Sequence, residues 1–304
     1  MSISPYRIVL SGGFGSVTIA SDRQAAEASS GLRVDWDSGG VAGWDSAPDA
    51  KVSSTERQAG DGAHDVSESD IEYESRVVTV NIAAFGETRD EVLAAMRRLQ
   101  AAHKQLVTMR VVDAATDTYC ERGYVVVKWD EGWHEQTATG TLTATFVRPY
   151  RLSTLPSEGM MVPATGGGGG LVFDAVTSGS DTAHVLHWPL SFGAGAIRTS
   201  NSCTIYNSGT IPADVVITAA GYMPGGIAIT DTSTGRQLAF GQTVTWSGLT
   251  LDSRTRTASV AGVDVSRSLT SRDFPTVPAG GSVTLSLQAS GTGTLTATCH
   301  DTYI

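Results

Sequence analysis

Residues 76–84 read Arg-Val-Val-Thr-Val-Asn-Ile-Ala-Ala, and their alternation decides how the rest of the chain is read. Val78, Val80, Ile82 and Ala84 fall on one face and Thr79 and Asn81 on the other, the period-two signature of a strand with one dry side. The signature recurs over Thr141–Val147, where Leu142, Ala144 and Phe146 alternate with Thr141, Thr143 and Thr145. Between these strands, Leu106–Val112 and Gly123–Trp129 are rich in β-branched residues, are separated by 113–117 and predict a hairpin. Upstream, Tyr6–Leu10 and Val17–Ala20 predict short strands among loops broken by Gly12-Gly13, Gly39-Gly40, Gly43 and Gly60-Asp61-Gly62. Loops of that length often reach partners.

One helix is expected in this half. Thr88 is a natural N-cap, Glu91 completes a capping box, and Val92, Leu93, Met96 and Leu99 follow at helical spacing. Its other face carries Arg97, Arg98 and Lys104, which either are solvated or meet an acidic surface on a neighbouring subunit. Among the tryptophans, Trp129 and Trp246 alternate with apolar residues and read as core. Trp44 and Trp188 lie in loops and are the candidate interface anchors.

From Leu152 to Pro163 two prolines remove backbone donors, and Gly166–Gly170 then maximises chain freedom, so neither stretch is expected inside a sheet. Residues 156–170 therefore read as a Pro/Gly linker between an N-terminal domain, 1–155, and a C-terminal one, 171–304. In the second half Cys203/Ile205, Val215/Ile217/Ala219, Ile227/Ile229, Val244/Trp246, Leu249/Leu251, Val283/Leu285/Leu287 and Leu295/Ala297/Cys299 form inward-facing sets between frequent turns. That spacing predicts a two-sheet sandwich or jelly roll. The fold class is mainly β: an N-terminal sandwich or barrel domain with one helix, then a β-sandwich.

Composition agrees. The 304 residues contain 34 glycines, 40% hydrophobic and only 17% charged residues, which suits a turn-rich β protein of two domains. A formal net charge of −10 with no Lys/Arg cluster excludes specific nucleic-acid binding. No run approaches 18 apolar residues and no signal-type stretch opens the chain, so neither membrane insertion nor secretion is expected. The three cysteines lack CxxC spacing and read as small buried hydrophobes, although Cys203 and Cys299 each lie in a strand pattern that a bridge could span.

Catalytic motifs are not found. No lysine follows a glycine as a Walker loop requires, Ser282 in Gly280-Gly281-Ser282-Val283-Thr284 lacks the last glycine of a nucleophile elbow, and His184 and His187 have no third metal ligand at suitable spacing. The segment 35–40, Asp-Trp-Asp-Ser-Gly-Gly, opens like a calcium loop, but Ser46 stands where a bidentate Glu is needed, which favours a turn held by Asx side chains. No cofactor or metal is expected, and no enzymatic activity.

The order of features resembles the distal tail proteins (minor tail proteins) of siphovirus bacteriophages. In the first half the resemblance runs through Gly43-Trp44-Asp45-Ser46-Ala47-Pro48, the Gly60–Gly62 loop, Ser75–Val80, the Glu91–Leu106 helix and Tyr124–Val127. In the second it runs through Ile205–Ala213, Leu251-Asp252 and Phe274–Gly280, while the glycine run and the segment to Trp188 align with nothing. The resemblance implies a hexameric ring at the tail tip or baseplate of the virion, assembled in the host cytoplasm. It implies partners in the tail tube protein, tape measure protein, tail-tip hub and receptor-binding proteins, and a galectin-like C-terminal sandwich facing outward, with a host surface glycan as a further partner. It brings no catalytic residues. Two alternatives stay open: a carbohydrate-binding module built on the sandwich and the loop tryptophans, and a tail-associated hydrolase with a carboxylate pair among the 31 Asp and Glu.

Overall fold

A computed structural model describes residues 6–67, 70–130, 136–163 and 200–304. Two compact units emerge. One holds the described residues up to Leu155 together with Asp301–Ile304, and the other the described residues between Pro156 and His300.

The first unit is a barrel. Its strands are β1 (Arg7–Gly12), β2 (Gly15–Ala20), β3 (Leu32–Val34), β4 (Arg76–Phe85), β5 (Val107–Asp113), β6 (Thr116–Trp129) and β7 (Thr137–Phe146). Neighbours run β7-β4-β3-β2-β1-β5-β6, and β6 pairs back onto β7 to close the ring of seven. Only the β2–β3 contact is parallel. Closure removes the exposed strand edges that an open sheet would leave.

β6 makes closure possible by changing partners along its length. Its first part pairs with β5 in a two-residue hairpin, Asp113 opposite Thr116, so the turn is tighter than the five-residue break the sequence suggested. The register then shifts near Arg122, a non-glycine residue at φ 56°. Beyond it, Tyr124–Trp129 pairs with β7, with Tyr124 opposite Thr145 and Val126 opposite Thr143. The expected 106–112/123–129 hairpin is thus corrected: a bulge re-aims the strand onto a third one.

The inward sets are those the alternation picked out: Val78, Val80, Ile82 and Ala84 with Leu142, Ala144 and Phe146, all buried. The helix, α2 (Arg89–Gln100), adds Val92, Ala95 and Leu99 to the same core. Its capping box is formed, Glu91 N donating to Thr88 Oγ1 at 3.4 Å and Thr88 N to Glu91 Oε2 at 3.3 Å. Thr88→Ala is expected to cost about 1 kcal/mol in urea unfolding; an unchanged midpoint would show that packing alone holds the helix. The helix stops at Gln100, short of Leu106. The one-helix expectation also missed α1 (Arg23–Glu27), a single turn whose N-cap Asp22 accepts from Ala25 N at 2.8 Å.

On the β5–β6 hairpin Arg110 grips Asp117 with both ends of its fork, Nε to Oδ1 at 2.7 Å and Nη2 to Oδ2 at 2.5 Å. The Arg110 hydrogen bond, helped by Thr154 Oγ1, holds the Asp117 carboxyl below its ordinary range. A folded-state pKa lower than the unfolded one contributes stability that is complete above about pH 4 and fades as pH falls through the folded value. Asp117→Asn should therefore flatten the acid limb of a stability–pH curve. Parallel curves for the two proteins below about pH 4 would refute it.

The strand β8 (Arg151–Met161) overturns the expectation for the Pro-containing stretch. Its pairing with β6 is confined to Leu152 and Ser153, so Pro156 sits past that ladder, where a missing N–H costs no β6 hydrogen bond. The units divide within this strand, between Leu155 and Pro156. Of the expected 156–170 linker, residues 156–161 are strand; Gly166–Gly170 lie outside the described residues.

In the second unit the strands are β9 (Ser202–Asn207), β10 (Ala213–Tyr222), β11 (Ile227–Asp231), β12 (Gln237–Phe240), β13 (Leu249–Asp252), β14 (Thr257–Val260), β15 (Leu269–Arg272), β16 (Gly281–Ala289) and β17 (Thr292–Tyr303), the last of these up to His300. One antiparallel sheet runs β9-β16-β11-β12-β15 and the other places β10 between β17 and β13, with β14 beyond. Ile205, Ile229, Leu238, Leu285 and Leu287 from the first meet Val215, Ile217, Leu251, Leu295 and Ala297 from the second in one dry core. This is the antiparallel sandwich that the alternation required.

Candidate interaction surfaces

Between Trp44 and β4 the chain leaves the barrel as a long hairpin arm. Ala50 pairs with Tyr73 and Lys51 with Glu72; further out Glu56 bridges Ala63, and Arg57 N donates to Gly62 O at 3.1 Å around the glycine tip. Among the described residues of 49–72 only Ala63 is not exposed, and Val52, Val66 and Ile71 stand 40%, 41% and 44% accessible. Residues 49–74 contain eight Asp/Glu against Lys51 and Arg57, a net of −6 within a chain total of −10. Two strands with no packed face are marginal on their own in water.

The arm's root is fixed by a residue that sequence reading missed. Arg76 is 1% exposed, and its side chain donates to four main-chain carbonyls: Nε to Pro149 O at 2.6 Å, and Nη1 to Gly43 O, Trp44 O and Ser46 O at 2.7–2.8 Å. Burial lowers its pKa from the ordinary arginine value. The signal available was an arginine opening an otherwise apolar strand, but nothing in that pattern says whether it points in.

This clamp corrects the reading of Trp44. Far from an interface anchor, it is 4% exposed and part of the barrel core, drawn in by Gly43 at φ +85° and by its own carbonyl on Arg76. Trp246 errs the other way: the alternation Val244/Trp246 ends after a single bridge, Met223 opposite Val244, and a turn from Thr245 to Gly248 leaves Trp246 75% exposed. Trp129 packs partly against the core as expected. Trp36 is half-exposed, meets Tyr6 edge-on at 5.3 Å and donates its Nε1 to Ser21 O. Trp188, His184 and His187 lie outside the described residues.

Arg97 and Arg98 are exposed in the last turn of α2, where the negative end of the helix dipole favours them. Lys104 is exposed too, but it is not on the helix: it sits in the turn after it, at φ 60°. The three cations still cluster within one short stretch at the helix end.

Other sequence candidates resolve into structure. Ser38 Oγ donates to Asp35 Oδ2 at 2.6 Å and Gly40 N to Asp35 O at 3.0 Å, so 35–40 is a closed turn. Ser282 lies in β16. All three cysteines are free thiols; burial pushes the Cys120 thiol up to about 12 and Cys203 up to about 11. Among the described residues no group of three His, Cys, Asp or Glu could hold a metal, and no helix is long and apolar enough to cross a membrane. The sandwich carries a cavity of about 250 Å³ whose lining includes Ile229, Arg236, Asp273, Phe274, Val283 and Leu285.

A closed barrel with a packed helix and an acidic arm, followed by an antiparallel sandwich, defines a class of two-domain β proteins. Comparison with solved structures gives that class its members. The chain is similar over 98% of its length to 99% of the Dit protein of phage SPP1, described as a paradigm of the hub adsorption apparatus in phages infecting Gram-positive bacteria, with a TM-score of 0.58 at 12% identity. It is likewise similar over 98% of its length to 97% of a chain in the phage P2 baseplate in its activated conformation, TM-score 0.53 at 9% identity. The fold is the Dit-like one. No family model and no curated protein sequence matches.

Proposed function

We propose that this chain is a non-enzymatic structural protein of a bacteriophage tail tip, a ring subunit joining the tail tube to the baseplate. The observation that carries the reading is end-to-end likeness, both units in the same order, to a hub protein and a baseplate chain. The unpacked acidic arm supports self-assembly: it asks for a surface, and the cations Arg97, Arg98 and Lys104 of a neighbouring copy offer one of opposite sign. Repeated head to tail, such a contact closes into a ring, here hexameric.

In this reading residues 1–155 build the ring and 171–304 project outward toward receptor-binding proteins, while the tail tube, tape measure and hub proteins meet the ring. A net charge of −10 lets DNA pass without being gripped. The test is electron microscopy and mass photometry of the purified chain. Rings of about six copies, shifting to monomer as salt rises, are expected. A monomer at every concentration that also fails to join co-expressed tail-tube protein refutes the proposal, as does tight, salt-sensitive binding of double-stranded DNA.

A further inference from the structure

In the barrel, β6 outruns β5. β5 begins at Val107, opposite Gly123, so among the described residues Tyr124–Trp129 of β6 pairs with β7 along one edge and with no strand along the other. A side chain fills that gap: Val127 N donates to His103 Nε2 at 3.0 Å. His103 is half-buried in the turn after α2, between Ala102 in the barrel core and the exposed Lys104. The turn's other side-chain hydrogen bond, Gln105 Nε2 to Ala101 O at 3.1 Å, stays within it. The imidazole is thus the side chain that ties the turn to β6.

That bond admits one protonation state. A ring nitrogen accepts only when it carries no proton, so the neutral ring holds its proton on Nδ1. A second proton can go only on Nε2, where it turns the acceptor into a donor facing a donor and leaves the buried Val127 amide unmet.

The charges on the surrounding elements are mostly positive. α2 brings Arg97 and Arg98 in its last turn, with Asp90 and Glu91 at its far end, the turn brings Lys104, and β6 brings Arg122 and Lys128. Arg110 of β5 is held by Asp117, Glu121 lies 3.9 Å from Arg148, and Asp130 accepts from Thr139 Oγ1. The β1–β2 turn, whose Gly13 lies against Gln105, brings no charge. Among the described residues no acid is bonded to the ring, so a protonated ring gains no ion pair in place of the bond it gives up.

We infer that His103 is an acid-sensitive latch: neutral, it holds the turn after α2 on β6, and protonated it lets the turn go. The bond is complete above the range in which an imidazole gains its proton, about pH 6.5 in water, and is lost as pH falls through that range. Lys104 moves with the turn, and the last turn of α2, with Arg97 and Arg98, loses its support, so the contact between copies is what the latch regulates. That last step rests on the ring reading; the latch itself does not.

The test is hydrogen exchange read by mass spectrometry on the full chain at about pH 7.5 and about pH 5.5, corrected for the intrinsic pH dependence of exchange. Peptides covering 101–106 and Tyr124–Trp129 should be about tenfold less protected at the acid pH, with β1 and β2 unchanged. In His103→Gln, checked for folding by circular dichroism, the same peptides should be equally protected at both pH values, whatever the level. Equal protection of the parent at both pH values overturns the latch without any variant, as does a Gln variant that loses protection on acidification as the parent does. Mass photometry on the same samples reads the ring separately. Rings that weaken at acid pH in the parent and not in the variant support the regulatory step, and rings that weaken equally in both refute it. If rings form at neither pH, the ring reading fails while exchange still decides the latch.

Discussion

Replacing Arg76 by methionine is expected to lower the melting temperature of the barrel by roughly 10 °C, the equivalent of about 3–5 kcal/mol. Arg76 is all but inaccessible, and the carbonyls of Gly43, Trp44, Ser46 and Pro149 converge on its Nε and Nη1, while the buried Nη2 has no partner. Methionine fills a similar volume but leaves four acceptors facing apolar surroundings, and an unmet buried polar group costs more than a formed bond contributes. The clamp also spans three places in the sequence, so its loss frees the root of the acidic arm and lets Trp44 leave the core. Arg76→Lys should recover less than half of the loss, because an ammonium cannot reproduce a planar fork. A melting temperature for Arg76→Met within about 2 °C of the parent would show that water replaces the guanidinium without penalty.

What the sequence made legible is what one dry face dictates. Val78–Ala84 and Leu142–Phe146 could be assigned because slipping either by one residue would turn its apolar set to water. The helix was legible at its start, where Thr88 and Glu91 must meet, but not at its end, where no glycine marks the stop and Lys104 itself takes the left-handed turn. β8 was hidden because proline argues against a sheet only where its N–H is needed, and neither composition nor period shows which side of a strand is paired. Trp44 and Trp246 exchanged roles for one reason: burial of a lone aromatic beside a turn depends on contacts distant in sequence. For Trp44 those are made by Arg76, and for Trp246 none brings it in. Of the candidate surface, the cations of α2 were visible as residues; the arm proposed as their partner was not, since a glycine-broken polar stretch reads as loop until Ala50 is seen to pair with Tyr73.

That complementarity gives the second large effect. Arg97→Glu with Arg98→Glu is expected to weaken each contact between copies by about a hundredfold and so abolish rings, since like charges brought together at an interface are strongly unfavourable. Both residues are exposed on a helix whose buried side is Val92, Ala95 and Leu99, so the monomer should keep its fold, with a melting temperature lower by a few degrees because glutamates replace cations at the negative end of the helix dipole. Reversing the arm instead, with Glu72→Lys and Glu74→Lys, should abolish rings equally well. Carrying all four substitutions in one chain restores opposite signs on the two faces of every contact, and rings should return with the salt sensitivity of the parent. Mass photometry over a concentration series reads all four proteins. Rescue distinguishes a direct contact between arm and helix from a general effect of net charge: the helix reversal shifts the charge by −4 and the arm reversal by +4, so the quadruple variant returns to the parent's −10. A control with the same compensation placed at Asp37 and Asp113, exposed acids away from the arm, should therefore fail to rescue. If that control restores rings as well as the arm variant does, the arm is not the partner of α2.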